Sequence, residues 1–87
     1  MRKSCHAKKR QQQRGIKEQT IEILEEYGER FFKKDGTVVL LIPKRLHERM
    51  QKKFPKLKNI ISAYVLETEN EYKAITIGHH FKKNLLH

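Results

Sequence analysis

The feature that most constrains the fold is an apolar run that follows an Asp-Gly pair near the middle of the chain. The run covers residues 37–42, Thr-Val-Val-Leu-Leu-Ile, and comes directly after Asp35-Gly36. Asp-Gly is a strong signal for a tight β-hairpin turn, and a segment that is apolar on both faces is typical of an inner strand. With residues 30–32 as the outgoing strand, the sequence predicts a hairpin whose second strand is central in a sheet.

Apolar spacing, helix-capping signals and turn signals predict three helices and two further strands around this hairpin. Gly28 is expected at the C′ position that ends the second helix, and Pro43 in the first turn of the third. The predicted order is helix, helix, strand, strand, helix, strand, strand, which gives an α+β domain with a small, mostly antiparallel four-stranded sheet packed with helices. The helices are expected over residues 4–14, 17–27 and 43–54, the additional strands over 60–66 and 72–77, and a turn over 67–71.

The chain length of 87 residues suits one domain with a modest core. We expect a single domain over residues 1–87 with frayed ends at 1–3 and 82–87. No apolar run approaches the ~20 residues of a membrane span, and the first five residues lack the apolar stretch of a secretion signal. Cys5 is the one cysteine, so no internal disulfide can form and the cytoplasm is the expected location.

The net charge of +10 is concentrated in two blocks of the sequence. Residues 1–16 contain six basic residues and no acidic ones, and residues 33–58 contain nine basic against two acidic residues. Such blocks attract polyanions through phosphate neutralisation and counterion release. The alternatives are a lysine-rich surface that serves solubility alone, or one that docks an acidic protein. The cations expected to bind nucleic acid are Lys8, Lys9, Lys44, Arg45, Arg49, Lys52, Lys53, Lys82 and Lys83.

Three side chains at intervals of four residues, His6, Arg10 and Arg14, fall within roughly 80° on one face of the first helix. A titrating imidazole beside two permanent cations suits a surface that handles phosphate. Cleavage of RNA without a metal needs a base, an acid and cations that stabilise the transition state. His6 is the candidate base or acid, with the arginines as phosphate forks. His79 or His80 is expected to supply the second proton-transfer group, and at most one of them faces the site because successive strand residues point to opposite sides.

Five further residues have weaker candidate roles in substrate binding. Thr76 and Tyr64 are candidates to orient a substrate, and Tyr27, Phe31 and Tyr72 offer rings for base stacking. A core position is the alternative expected for Tyr64, because its strand is apolar on both faces. No recognised metal-ligand spacing or cofactor motif occurs, so neither a metal nor a cofactor is expected.

Each candidate also has a structural interpretation. Arg14 can pair with Glu18 of the second helix or tie the first helix to the sheet, and His6 can bind a backbone carbonyl to anchor a first helix that has few apolar residues. His79 and His80 can be solvated or packed against the end of the chain. The basic residues toward the end of the third helix and after it can form a merely solvated face; they are Lys52, Lys53, Lys56 and Lys58.

Three strings in the sequence together resemble a known domain family. They are His6-Ala7-x-x-Arg10-x-x-x-Arg14-Gly15-Ile16, the helix end Tyr27-Gly28, and the strand end Ala74-Ile75-Thr76-Ile77-Gly78-His79. They resemble a small prokaryotic domain family of unknown function that opens with HAxxRxxxRGI, and that family is similar to BrnT-type and, more distantly, RelE-type toxins of toxin–antitoxin pairs. The resemblance implies a compact sheet with helices packed on it, a basic face that cuts RNA without a metal, and a partner antitoxin. The chain departs from the pattern at Lys17, where such families often carry a Ser or Thr helix cap.

Two hypotheses follow from the sequence. The leading one is a cytoplasmic RNA-binding protein of the BrnT/RelE type, with metal-independent endoribonuclease chemistry at His6, Arg10 and Arg14 as its candidate activity. The alternative is a noncatalytic module whose basic face docks nucleic acid or an acidic protein. The enzyme requires His6 and both arginines to be accessible around one hollow, whereas burial of these side chains in ion pairs favours a module or a scaffold.

Overall fold

The computed structural model of the protein describes residues 1–57 and 59–79. Within these ranges the elements follow the predicted order, and the strands form one antiparallel four-stranded sheet, which confirms the predicted fold class. None of the helices in the described ranges combines the length and the apolar character that a membrane crossing requires. The elements are α1 (Cys5–Gln13), α2 (Glu18–Tyr27), β1 (Glu29–Phe32), β2 (Thr37–Leu41), a short 3₁₀ turn (Lys44–Leu46), α3 (His47–Lys53), β3 (Ala63–Thr68) and β4 (Ala74–His79).

The predicted hairpin joins β1 and β2, and the sheet order β1-β2-β3-β4 makes β2 an inner strand as expected. Gly36 adopts a φ of +84° at the tip of the hairpin. The Asp35 carboxylate accepts hydrogen bonds from the backbone N–H of Thr37 at 3.1 Å and from its hydroxyl at 2.6 Å. These hydrogen bonds lower the pKa of Asp35 below its usual value. The turn chemistry of Asp-Gly therefore sets where β2 begins.

One face of the sheet packs against the helices and forms the core. Leu40, Val65 and Ile77 are cross-strand neighbours on β2, β3 and β4, and all three are fully buried. They belong to one apolar cluster with Ile21 and Leu24 of α2. Full burial of such side chains is worth roughly 1.5–3 kcal/mol each relative to exposure, so this layer stabilises the contact between the sheet and α2.

The opposite face of the sheet lies outside this cluster. Leu66 pairs with Val39 on one side and Thr76 on the other, which places these residues on that face. Tyr64 lies there too, half-buried, so its expected place in the core is wrong. Its ring covers Gly78, where a Cβ atom would come within 2.9 Å of the Tyr64 hydroxyl oxygen. Tyr64 lies outside the core because the helices pack on the alternate residues of its strand.

The last two strands are shifted along the sequence from their predicted positions. β3 continues through Glu67 and Thr68, which composition had placed in a turn, and β4 runs on to His79 instead of ending at residue 77. Glu67 is fully buried on the helix-side face, where it forms an ion pair with Arg30 of β1. The sequence analysis placed Glu67 in a turn because charged residues are uncommon inside strands. Nothing in the local sequence indicates that Arg30 neutralises this charge.

Two helix ends also differ from the prediction. The third helix starts as the 3₁₀ turn after Pro43 and becomes α-helical only at His47, whose ring nitrogen Nε2 lies 2.9 Å from the carbonyl oxygen of Ile42. Gly28 ends α2 with a φ of −75° and not in the left-handed conformation of a C′ residue. Glycine is still needed there, because a Cβ atom would lie 2.4 Å from the carbonyl oxygen of Leu24.

The first residues of the chain extend the sheet beside β4. The backbone N–H of Ser4 donates to the carbonyl of Ala74 at 2.8 Å, and the N–H of Ala74 donates to the carbonyl of Arg2 at 2.8 Å. Lys3 and Ala74 form a parallel bridge. These contacts hold a segment that was expected to fray, whereas the fraying expected for residues 82–87 lies outside the described residues.

Candidate functional site

Helix α1 carries the predicted site residues, and polar contacts hold it in place. The Ser4 hydroxyl accepts from the backbone N–H of Ala7 at 3.0 Å and donates to the carbonyl of Ile75 at 3.4 Å. Ala7 is the one fully buried residue of α1. The Gln11 side chain donates to the carbonyl of Ile16 at 3.1 Å. This anchoring agrees with the composition of α1, which offers little apolar surface for packing.

The Arg14-Gly15-Ile16 part of the opening motif ends α1 in a Schellman arrangement. The N–H of Ile16 donates to the carbonyl of Gln11 at 3.0 Å, and the N–H of Gly15 donates to that of Gln12 at 3.2 Å. Gly15 adopts a φ of +63°, a conformation that favours glycine. Ile16 is buried in the core. The glycine and isoleucine of the motif therefore terminate and anchor the helix.

His6 and Arg14 are exposed on α1 and at its end, and Arg10 between them is half-buried. The Nε of Arg10 donates a long hydrogen bond of 3.4 Å to the Nε2 of His6. In the neutral ring the proton is then on Nδ1, because Nε2 accepts. Within the described residues, neither Arg10 nor Arg14 forms an ion pair with a carboxylate, and the His6 ring binds no backbone carbonyl.

The alternative partner of Arg14, Glu18, is bonded elsewhere. Its carboxylate accepts from the Lys3 ammonium and, at 3.2 Å, from the amide of Gln11. The hydrogen bond from Lys3 lowers the pKa of Glu18 below its ordinary value of 4.5. Gln11 and His6 are roughly 140° apart around α1. The flank of α1 that carries His6 therefore faces away from α2.

His79 lies at the end of β4, against the end of α1. Its Nε2 is 3.3 Å from the carbonyl oxygen of Arg14, and its Nδ1 is 3.3 Å from the hydroxyl oxygen of Ser62. Because a carbonyl oxygen only accepts, Nε2 must carry a proton in this contact. The ring thus links β4 to α1, and both of its nitrogens face groups of the protein itself.

The two described imidazoles of the predicted catalytic set lie at opposite ends of α1. His6 is in the first turn, and the His79 ring contacts Arg14, eight residues further on, a rise of about 12 Å. An acid and a base that act on one phosphodiester must both come within hydrogen-bond distance of its oxygens. The structure thus forms two separate pairs, His6 with Arg10 and His79 with the backbone of Arg14. The remaining candidate, His80, lies outside the described residues.

The predicted cationic residues that the structure describes lie in two groups. Lys8 and Lys9 are exposed on α1. The second group lies on the 3₁₀ turn and α3, where Arg45 pairs with Glu29 and Lys52 with Glu48. Most of its members line a shallow depression of about 560 Å³ beside Glu48. Lys58, Lys82 and Lys83 lie outside the described residues. The exposed members of the second group are Lys44, Arg45, Arg49, Lys52 and Lys53.

Arg30, Phe32, Glu67 and Tyr72 form a cluster at the hairpin end of the sheet. Of these four residues, the sequence analysis singled out Tyr72 alone. Glu67, 0% exposed, accepts two hydrogen bonds from Arg30, of 2.9 Å to Nε and 3.3 Å to Nη2. This paired contact raises the pKa of Arg30 above its ordinary value. The guanidinium carbon of Arg30 lies 4.6 Å from the centre of the Tyr72 ring, and the Phe32 ring lies 6.4 Å from that ring at 66°.

The three rings expected to stack on bases differ in exposure. Tyr27 is half-buried and packs edge-to-face on Phe54 at 5.8 Å, with the Lys53 ammonium over its ring. Phe31 is half-buried on the opposite face of the sheet from the helices. Tyr72 is exposed. Of the three candidates, Tyr72 is therefore the one placed for stacking.

No group of three or more metal-ligating side chains assembles among residues 1–57 and 59–79. Comparison of the chain with models of protein families, with curated proteins and with solved structures finds no match. The fold and the candidate site thus define a small α+β domain whose first helix presents an imidazole and two guanidinium groups.

Proposed function

We propose that this protein binds RNA along α1, with His6, Arg10 and Arg14 against the phosphate backbone. We call these three side chains the stripe on α1. The proposal rests on one observation: within the described residues, no carboxylate pairs with either guanidinium group of the stripe. An arginine without a carboxylate partner is available to bind phosphate with two parallel hydrogen bonds. Both arginines belong to segment 1–16, which contains six basic and no acidic residues, and its other cations add affinity through counterion release.

The candidate activity of this site is metal-independent cleavage of RNA, with His6 as the base. In the free protein Arg10 donates to the Nε2 of His6. A bound phosphate draws the guanidinium away, and Nε2 is then free to take the proton of a neighbouring 2′-hydroxyl. The 2′-oxygen bonds to phosphorus as the bond from phosphorus to the 5′-oxygen breaks, and the 5′-oxygen takes a proton from water. The hydroxide left behind takes the proton held by His6, which regenerates the base. Arg14 stabilises the charge of the transition state.

The opening motif resembles a small prokaryotic domain family that is itself similar to BrnT-type and, more distantly, RelE-type toxins, and this supports a role as the toxin of a toxin–antitoxin pair. In that role an antitoxin encoded by a neighbouring reading frame covers the basic surface.

A second candidate function is a noncatalytic RNA-binding module that uses the same stripe. It is favoured by the separation of His6 from His79, since the second imidazole is held at the other end of α1. Cleavage of RNA distinguishes the ribonuclease from the module, because the module binds RNA and leaves it intact.

The test combines binding and cleavage of single-stranded RNA in the presence of a chelator. An Arg10→Ala/Arg14→Ala variant is expected to bind at least tenfold more weakly, whereas a Lys17→Ala/Lys56→Ala control of equal charge change, at exposed positions outside α1, keeps most of the affinity. His6→Gln is expected to keep most of the binding, because both arginines remain, and to lose cleavage. Intact RNA with the wild type supports the module, and equal weakening by both double variants contradicts the assignment to α1.

A further inference from the structure

We propose that Phe32 and Tyr72 form a stacking platform for an unpaired base of single-stranded RNA, and that the cations beside it hold the adjacent phosphates. The inference rests on the proposed function and names a second contact site for the same ligand. It predicts a preference for single-stranded over duplex RNA, because the bases of a duplex are paired and stacked on one another.

The two rings expose apolar surface that the fold leaves uncovered. Phe32 is 58% exposed and Tyr72 is 41% exposed, which makes them two of the three large apolar side chains exposed in the described residues. Phe32 is the last residue of β1, and Tyr72 lies in the connection between β3 and β4. The two rings meet edge-to-face with their centres 6.4 Å apart. Adjacent exposed rings are what base stacking requires, since every base has a π face.

The backbone at Tyr72 is held in a left-handed conformation, which is unfavourable for a residue with a bulky side chain. Its φ is +51°, the one positive value of a non-glycine residue among the described residues. The N–H of Tyr72 donates to the carbonyl of Thr68 at 2.8 Å, which fixes this turn. Glycine or asparagine would relieve the strain here. Strained residues of this kind concentrate at ligand-binding positions, and the one retained here is an exposed aromatic ring.

The ion pair between Arg30 and Glu67 holds one face of the Tyr72 ring in place. The Arg30 guanidinium lies over the Tyr72 ring at 4.6 Å, and Glu67 holds that guanidinium with two hydrogen bonds from the interior. Arg30 therefore occupies one face of the ring and cannot swing away without leaving a buried carboxylate unpaired. A base is expected on the remaining exposed surface of Tyr72 and on Phe32.

Two cations beside the platform have no carboxylate partner among the described residues, which favours a nucleic acid over an apolar protein segment as its ligand. Lys73 follows Tyr72 directly, and Lys34 lies two residues after Phe32. Two further cations near the platform are paired with carboxylates, Lys33 with Asp35 at 3.8 Å and Arg2 with Glu71 at 3.6 Å. A depression of about 500 Å³ extends from Lys73, the residue after Tyr72, to Lys8 on α1, and its other lining residues are Met1, Arg2, Lys3 and Glu18.

The first experiment measures the binding of a labelled single-stranded RNA, the same RNA without bases, and a duplex. Phe32→Ala and Tyr72→Asn remove one ring each, and asparagine suits the backbone at position 72. Each variant is expected to bind single-stranded RNA roughly five- to a hundredfold more weakly than the wild type, the range for loss of one base–aromatic stack. Both are expected to bind the base-free and duplex ligands as the wild type does.

A second measurement reads stacking directly. The chain has no tryptophan, so Phe32→Trp introduces a single indole, and stacking of a base is expected to quench its fluorescence. Unchanged emission at saturating RNA overturns the platform. If the ring variants bind normally while Arg10→Ala/Arg14→Ala does not, the platform fails and RNA binding along α1 stands. If the wild type binds no RNA, the proposed function fails and this inference with it.

Discussion

Glu67 carries a negative charge into the interior of the protein, and Arg30 neutralises it there. The carboxylate is fully buried, while a third of the Arg30 side chain remains exposed. Removing one partner of such a pair leaves a charge without water or counterion, whereas replacing both by apolar side chains can be nearly neutral. The pair also holds the guanidinium over Tyr72. Stability and the presentation of the ring thus depend on the same contact.

The first prediction concerns this ion pair. Arg30→Met is expected to lower the free energy of unfolding by roughly 2–4 kcal/mol, somewhat less than for a fully buried pair because Arg30 is partly exposed. The double variant Arg30→Met/Glu67→Leu is expected to recover most of that loss. Urea unfolding followed by circular dichroism measures both. A double variant as unstable as the single one would contradict the argument from unpaired charge.

At the scale of elements, the turn between α1 and α2 fixes the orientation of the candidate site. Gly15 has a φ of +63°, and a Cβ atom added there would meet no other atom within 4 Å. The Schellman hydrogen bonds at this turn position the Arg14 carbonyl that His79 contacts. A change at Gly15 therefore acts on the backbone alone and not through a steric clash.

The second prediction is that Gly15→Ala costs about 1–2 kcal/mol, the penalty for placing a Cβ atom in the left-handed conformation. For a domain of this size this lowers Tm by roughly 4–16 °C. Gly15→Asn is expected to lose less, because asparagine tolerates this conformation. Thermal unfolding measures the three proteins, with Gln12→Ala on the exposed side of α1 as the control. An unchanged Tm for Gly15→Ala would show that the turn can re-form without a left-handed residue.

The third prediction concerns pH and the contact that joins residue 3 and α1 to α2. The pKa of Glu18 is lowered in the folded protein by its hydrogen bond from Lys3. The stabilisation is therefore present above the ordinary value of 4.5 and is lost as the pH falls through the lower folded value. Glu18→Gln is expected to lower Tm slightly at pH 7, by the equivalent of about 0.5 kcal/mol for an exposed pair. The Tm difference should narrow below pH 4.5, and a constant difference across this range would contradict the assignment.

The elements with local signals were predictable from the sequence, and the long-range contacts were not. The Asp35-Gly36 turn, the ends of α1 and the contact between His6 and Arg10 all follow from neighbouring residues or from helical spacing. The contact of His79 with Arg14 depends on how β4 lies along α1, which no local pattern encodes. Glu67 shows the same limit, because its burial becomes plausible only when Arg30 is known to lie beside it.

At the scale of the whole molecule, the proposed function assigns the basic residues and the exposed rings two different contributions to RNA binding. The stripe on α1 would neutralise phosphates, a contribution that salt weakens. The rings of Phe32 and Tyr72 would contribute stacking, which carries no net charge and does not release counterions. A net charge of +10 alone would give general attraction to any polyanion. The combination of the two surfaces is what would favour an unpaired RNA strand.

The last prediction separates these contributions by salt dependence. For a single strand, log K falls against log salt concentration with a slope of about −0.7 per neutralised phosphate. Arg10→Ala/Arg14→Ala is expected to make the slope shallower by about 1.4, since two phosphate contacts are lost. Phe32→Ala and Tyr72→Asn are expected to reduce affinity at every salt concentration and leave the slope unchanged. Fluorescence anisotropy across a salt series measures all four proteins. A shallower slope for the ring variants would mean that their loss of affinity comes from displaced cations. An unchanged slope for Arg10→Ala/Arg14→Ala would show that α1 does not contact the phosphates.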